Sequence, residues 1–355
     1  MGVSPLPALV APDQSTGTAH GADGAEVASA AAVAGDADRA LDLARDVGWR
    51  LPRPGSGRTG ERWQRLRDIA AADLTAARVL EAHADALAIL AEAQDGETRP
   101  AAGDNHRLWG LFAAEGQGVR LDAEPAGDGW VLRGTKPWCS LADRLDRALI
   151  TAHVGPAGRR LFAIDLTDPR VVVEPADGWV ARGLVEVPST SIRLDGCPAR
   201  PVGPAGWYLE RSGFAWGGIG VAACWLGGAI GLARTLRAAG PGREPDQLAL
   251  AHLGAIDATL YAAEAALDAA ADAVDRGRGD GPAGALLAAR VRSVIAGAVE
   301  VVLTRVGHAL GPAPLAFDPI HARRVADLQL YVRQHHAERD DARLGAQVRE
   351  LPAWW

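Results

Sequence analysis

Trp138 and Ser140 stand two residues apart at the end of Gly129-Trp-Val-Leu-Arg-Gly-Thr-Lys-Pro-Trp-Cys-Ser140. In an extended strand such residues face the same way, so an aromatic plane lies beside a hydroxyl. That pair could hold a flat heteroaromatic ring and hydrogen-bond its edge, although a sheet tryptophan also serves simply as core. Lys136 is the sole lysine of a chain whose other basic residues are arginine, and its local role reads as turn stabilisation. Tyr208-Leu-Glu-Arg211 sets a carboxylate beside a guanidinium where a helix begins. A surface Glu210 is favoured there by the helix dipole. His335 and His336 are adjacent in a stretch that reads as helix. Neighbouring helical side chains diverge by about 100°, which argues against shared metal ligation, and helix-surface histidines are the plain alternative. Cys139, Cys197 and Cys224 are odd in number and widely spaced, with no CxxC pair. They imply neither a disulfide framework nor a zinc site, and a reducing cytoplasm is the expected compartment.

The elements that must position these residues fall into three stretches. The chain has 355 residues with 48% hydrophobic and 23% charged, which suits two or three packed subdomains. A net charge of -7 argues against a nucleic-acid binder. Residues 1–35, rich in Ala, Gly, Ser and Asp, are expected to form a mobile tail. Residues 36–107 read as a helical domain. Leu66, Ile69, Leu74, Ala77, Leu80, Ala84, Leu87 and Leu90 form one apolar stripe running from Thr59 toward Asp95-Gly96. His83 and Asp85 on that helix need no role beyond packing and surface contacts. Residues 108–204 carry short apolar runs between turn signals at the spacing of a small antiparallel barrel-like domain. Residues 205–345 read as long helices at 208–238, 245–276, 282–310 and 319–344, a four-helix bundle, followed by a tail over 346–355. The apolar stretch Ile219 to Leu232 is short for a membrane span and dotted with glycine, so a buried helix is expected and no span. The fold class is therefore α+β.

Helical domain, β-domain and helical bundle in this order resemble the acyl-CoA dehydrogenase family of flavoproteins. The segment with Gly134, Lys136, Trp138, Cys139 and Ser140 is similar to that family's G-x-K-x-W-[IV]-[TS] motif. The resemblance covers roughly residues 45–345. It implies FAD as cofactor, Trp138 along the flavin ring, Cys139 beside it and Ser140 at the N5 edge. The family's flavin-contacting loop corresponds to a shortened Ala114-Glu115-Gly-Gln-Gly118, and Gly307 and Gly311 match its glycine-rich turn toward the adenosine. Arg237 and Arg243 are the candidates to replace its pyrophosphate arginine.

The resemblance implies α,β-dehydrogenation of an acyl thioester, with Glu210 as the base, supported by Arg211, in a dry site that raises its pKa. The glycine-rich run after Phe214 would bury the acyl chain. The family's common catalytic Glu-Gly-Thr is absent, and the place of its glutamate falls on His335. That departure opens two alternatives. One is a reduced-flavin-dependent monooxygenase of the same fold, taking an aromatic substrate, with His335 or His336 as the proton donor near the flavin. The other is a non-catalytic relative that binds an acyl group or a partner. The resemblance further implies a homodimer or homotetramer and an electron-transfer partner or flavin reductase.

Overall fold

The computed structural model describes residues 24–93, 107–155, 158–238 and 246–352. Arg243, the terminal Trp354 and Trp355, and residues 1–23 of the expected tail lie outside the described residues. Residues expected to belong to that tail instead form a helix, α1 (Gly24–Val33). Its Ala30 and Val33 are buried, and its Glu26 pairs with the buried Arg65. The burial of two apolar side chains and one ion pair holds this segment on the body.

Helix α2 (Ala37–Val47) starts where Asp36 accepts hydrogen bonds from the amides of Asp38 and Arg39. The long apolar stripe is divided into α3 (Thr59–Ala72) and α4 (Leu74–Glu92). Asp73 makes the division. Its backbone is extended, and its carboxylate accepts from the amide of Ala76 at 2.9 Å to cap α4.

Seven strands follow: β1 (Trp109–Phe112), β2 (Leu121–Ala126), β3 (Gly129–Ser140), β4 (Arg147–His153), β5 (Arg159–Asp165), β6 (Val171–Val173) and β7 (Ser189–Val202). Their order is β1-β4-β2-β3-β7-β5, with β6 on β7 and a further β4–β5 pairing. The expected wholly antiparallel domain is corrected to a mixed sheet, because β4 runs parallel to both β1 and β2. The long hairpin of β2 and β3 needs Gly134. Its φ is +120°, and a Cβ there would come within 2.3 Å of the Arg120 carbonyl oxygen.

The C-terminal half holds α5 (Trp207–Glu210), α6 (Ser212–Ala238), α7 (Gln247–Asp275), α8 (Gly281–Leu310), α9 (Ala313–Phe317), α10 (Pro319–Tyr331) and α11 (Glu338–Arg349). Helix α6 packs on α3, α7, α8 and α10. By length and composition α6 could cross a membrane, but 72% of its most apolar window is buried inside the protein. The helix expected over 319–344 is broken. A 3-10 turn spans Val332–Gln334, His335 is extended, and Ala337 takes φ +46° before α11 begins. This break aims the two histidines in different directions without any helix between them.

Candidate functional site

A cleft of about 910 Å³ lies between α4, the sheet, α6, α8 and the break after α10. Trp138 and Ser140 both line it. They do so from a bulge and not from a regular strand: the register of β3 against β7 shifts between Lys136 and Cys139. Trp138 sits in the bulge at φ +62° and is 57% exposed. A left-handed backbone at a tryptophan costs on the order of 1–3 kcal/mol and clusters at functional sites. Ser140 Oγ lies 2.7 Å from Ser189 Oγ and accepts from Arg78 Nη2 at 3.1 Å. The same bulge turns Cys139 the other way. Its thiol is buried in the sheet core, outside the cleft lining, and burial pushes it up to about 12. A direct contact of the Cys139 side chain with a molecule in the cleft does not fit that position.

Lys136 does not act by stabilising its turn. It is 2% exposed, and its Nζ donates to Glu115 Oε1 and to Thr151 Oγ1, each at 2.8 Å. Glu115 also meets His153 at 3.2 Å and Arg159 at 3.2 Å. Burial works to raise the Glu115 carboxyl, but the Lys136 bond and these other partners outweigh it and hold it below its ordinary value. Glu115 and Ala114 line the cleft, so the sole lysine anchors the shortened loop against the sheet. Glu115→Gln leaves Lys136 buried without its closest counter-charge. Because Glu115 is partly exposed and Lys136 keeps Thr151, the expected loss is about 1 kcal/mol in urea unfolding. An unchanged midpoint would show that the pair carries no stability.

Of the candidate catalytic residues, Glu210 is exposed at the end of α5 and does not line the cleft. The expected role as a base in a dry site is therefore corrected: α5 is a four-residue turn that ends at Arg211, leaving Glu210 in solvent. Arg211 is buried and does line the cleft. Its Nη1 donates to Glu92 at 2.6 Å, and its guanidinium lies 5.3 Å from the Tyr208 ring centre. His335 is buried in the cleft wall, with Nε2 3.3 Å from Ser293 Oγ and its ring edge-on to Trp225. Burial lowers its pKa, with Asp340 pulling the other way. His336 is exposed at the rim, where its ring faces Asp340 at 3.7 Å. Gly307 and Gly311 lie at the end of α8, away from the cleft lining, and Gly311 at φ +65° terminates the helix. Arg237, in the last turn of α6, is also outside the lining.

Three cleft groups escaped sequence reading. Glu81 and Asp85 face the cleft from α4, one helical turn apart. Burial raises both, Glu81 to about 7. Glu81 accepts from the Tyr331 hydroxyl at 3.3 Å and pairs with Arg78 at 3.4 Å. The signal was two carboxylates four apart on a largely apolar helix. Arg292 of α8 donates to the Gly218 and Gln334 carbonyls, at 2.7 and 3.2 Å, and lies 4.6 Å from the Trp225 ring centre. It ties α6 to the segment before His335.

No protein-family model matches the sequence, and no curated protein sequence matches it. Solved structures do match the fold. KijD3, in complex with FMN and dTDP-3-amino-2,3,6-trideoxy-4-keto-3-methyl-D-glucose, has a TM-score of 0.77 and 20% identity over 91% of this chain and 90% of its own. FMN-bound TdsC from Paenibacillus sp. A11-2 has a TM-score of 0.75 and 18% identity over 90% of this chain and 94% of its own; it is a dibenzothiophene monooxygenase. A nitrososynthase from Micromonospora carbonacea var. africana has a TM-score of 0.75 and 18% identity over 92% of this chain and 95% of its own. This chain shares their fold.

Proposed function

We propose that the chain is a reduced-FMN-dependent monooxygenase that oxygenates a small molecule held in the cleft. One contrast carries this reading: Glu210 is exposed and off the cleft, whereas His335 is buried in its wall. Dehydrogenation of an acyl thioester through Glu210 needs that carboxylate at the reacting carbon, and a non-catalytic binder needs no histidine there. The FMN in KijD3 and TdsC supports FMN over FAD, as do Gly307 and Gly311 lying away from the lining.

The residues present fit a flavin. Trp138 offers an exposed aromatic face, Ser140 and Ser189 a paired hydroxyl edge, and Arg78 and Arg292 positive charge in the lining. Reduced flavin, when bound, supplies the two electrons with which one atom of dioxygen enters the substrate and the other leaves as water. Nε2 of His335 donates to Ser293 Oγ, which in turn donates to Asp341, and this leaves Nδ1 as the ring nitrogen that would carry a proton to the departing oxygen. Arg78 orients Ser140, and Glu81 with Tyr331 orients Arg78. The packed walls of α4, α6 and α8 exclude water from the substrate end.

A flavin reductase as electron source, a cytoplasmic location and a homo-oligomer belong to the same reading. The packing of α6, α7, α8 and α10 supports a C-terminal four-helix bundle, and exposed Leu248, Tyr261, Val294 and Val301 on α7 and α8 support self-association. The test reconstitutes the protein with FMN and adds a panel of acyl-CoA thioesters without oxygen. The flavin absorbance is expected to persist. Bleaching by an acyl-CoA would overturn the monooxygenase in favour of the dehydrogenase.

A further inference from the structure

Asp85 is 9% exposed and lines the cleft, yet its carboxylate makes no hydrogen bond or ion pair among the described residues. Two guanidiniums act on it only from a distance. Arg211 is turned to Glu92 at 2.6 Å, and Arg62 to the Pro52 carbonyl at 3.1 Å. A buried carboxylate without a partner is costly, so such a group points to a ligand that completes it. The space before it is kept open by Gly217 of α6, where a Cβ would stand 2.9 Å from Asp85 Oδ1 and 3.1 Å from Oδ2. Tyr208 lines the same cleft. Burial first, and the Asp85 charge next, hold its hydroxyl protonated, so it is a second neutral polar group of this lining. The same lining also carries the apolar Leu111, Phe214 and Ala289.

We infer that Asp85 and Tyr208 form the recognition end of the cleft, and that the substrate is an amine on an apolar or aromatic skeleton. The inference rests on the cleft being the substrate site of the proposed monooxygenase. An ammonium or N–H donor gives Asp85 a charge-assisted hydrogen bond. A hydroxyl leaves the buried charge uncompensated, and a hydrocarbon leaves both polar groups unpaired. Tyr208 adds an acceptor oxygen for the same amine.

The experiment measures binding of phenethylamine, phenethyl alcohol and ethylbenzene to the FMN-loaded protein by calorimetry. Phenethylamine is expected to bind at least tenfold more tightly than either analogue. Asp85→Asn is expected to reduce that preference to within about twofold. Equal binding of the three probes by the unaltered protein, or a tenfold preference kept by Asp85→Asn, would overturn the inference. Should Asp85→Asn fail to fold, Gly217→Ala reads the same point, since its Cβ displaces the carboxylate: loss of the preference supports the inference, and its retention contradicts it. Oxygen uptake with reduced FMN is read separately. Uptake without amine preference overturns this inference alone, whereas amine preference without uptake supports it and removes the monooxygenase reading.

Discussion

Replacing His335 by alanine is expected to lower oxygenated product about 100-fold per reduced FMN consumed, the size of a lost general acid. The missing electrons should appear as hydrogen peroxide. The reason is local. His335 is buried in the cleft wall, with Ser293 3.3 Å from its Nε2. Its immediate neighbours do not replace it: Arg292 stays charged, and His336 is at the exposed rim against Asp340. Ser293→Ala keeps the ring but loosens its orientation, so a smaller loss of about tenfold is expected there. Product and peroxide are both measured against reduced FMN. Unchanged coupling in His335→Ala would remove this residue from the mechanism.

Glu81→Gln is expected to make the protein more stable at pH 8, on the order of 3 kcal/mol, and to change little at pH 4.5. Burial lifts the Glu81 carboxyl from 4.5 to about 7, against the opposing charge of Arg78. In the unfolded chain it titrates near its ordinary value. Between these pH values the folded protein holds a proton that the unfolded chain has released. Stability is therefore full below about pH 4.5 and falls as pH rises through about 7. Glutamine is neutral throughout and still accepts from the Tyr331 hydroxyl, so the decline should flatten. Asp327, raised by burial to about 6, contributes a smaller fall of the same sign that remains in the variant. Urea midpoints across pH 4.5 to 8 decide it. Parallel profiles, or a variant weaker than the native chain at pH 8, would mean that Glu81 is stabilised as an anion.

What sequence could reveal was local. The apolar stripe of α3 and α4 and the turns that bound β4 to β7 follow from short-range rules. What it hid depended on distant partners or on unmarked backbone. Lys136 read as a turn residue because Glu115 lies 21 positions earlier and reaches it only across the folded sheet. The bulge that turns Trp138 outward and Cys139 inward carries no glycine at its centre. The break that turns His335 into the cleft rests on Ala337 at φ +46°, where neither Gly nor Pro gave warning. Asp85 was hidden for another reason. Helix α4 is packed by α2, α3, α6 and α10, so the face that looked like surface is interior.

The proposed oxygenation is tested by the mass of the product formed under ¹⁸O₂, with reduced FMN as sole reductant and an amine-bearing aromatic panel as substrate. One ¹⁸O atom is expected in the product and the other in water. A product without label, or one formed from an acyl-CoA in the absence of oxygen, would contradict it.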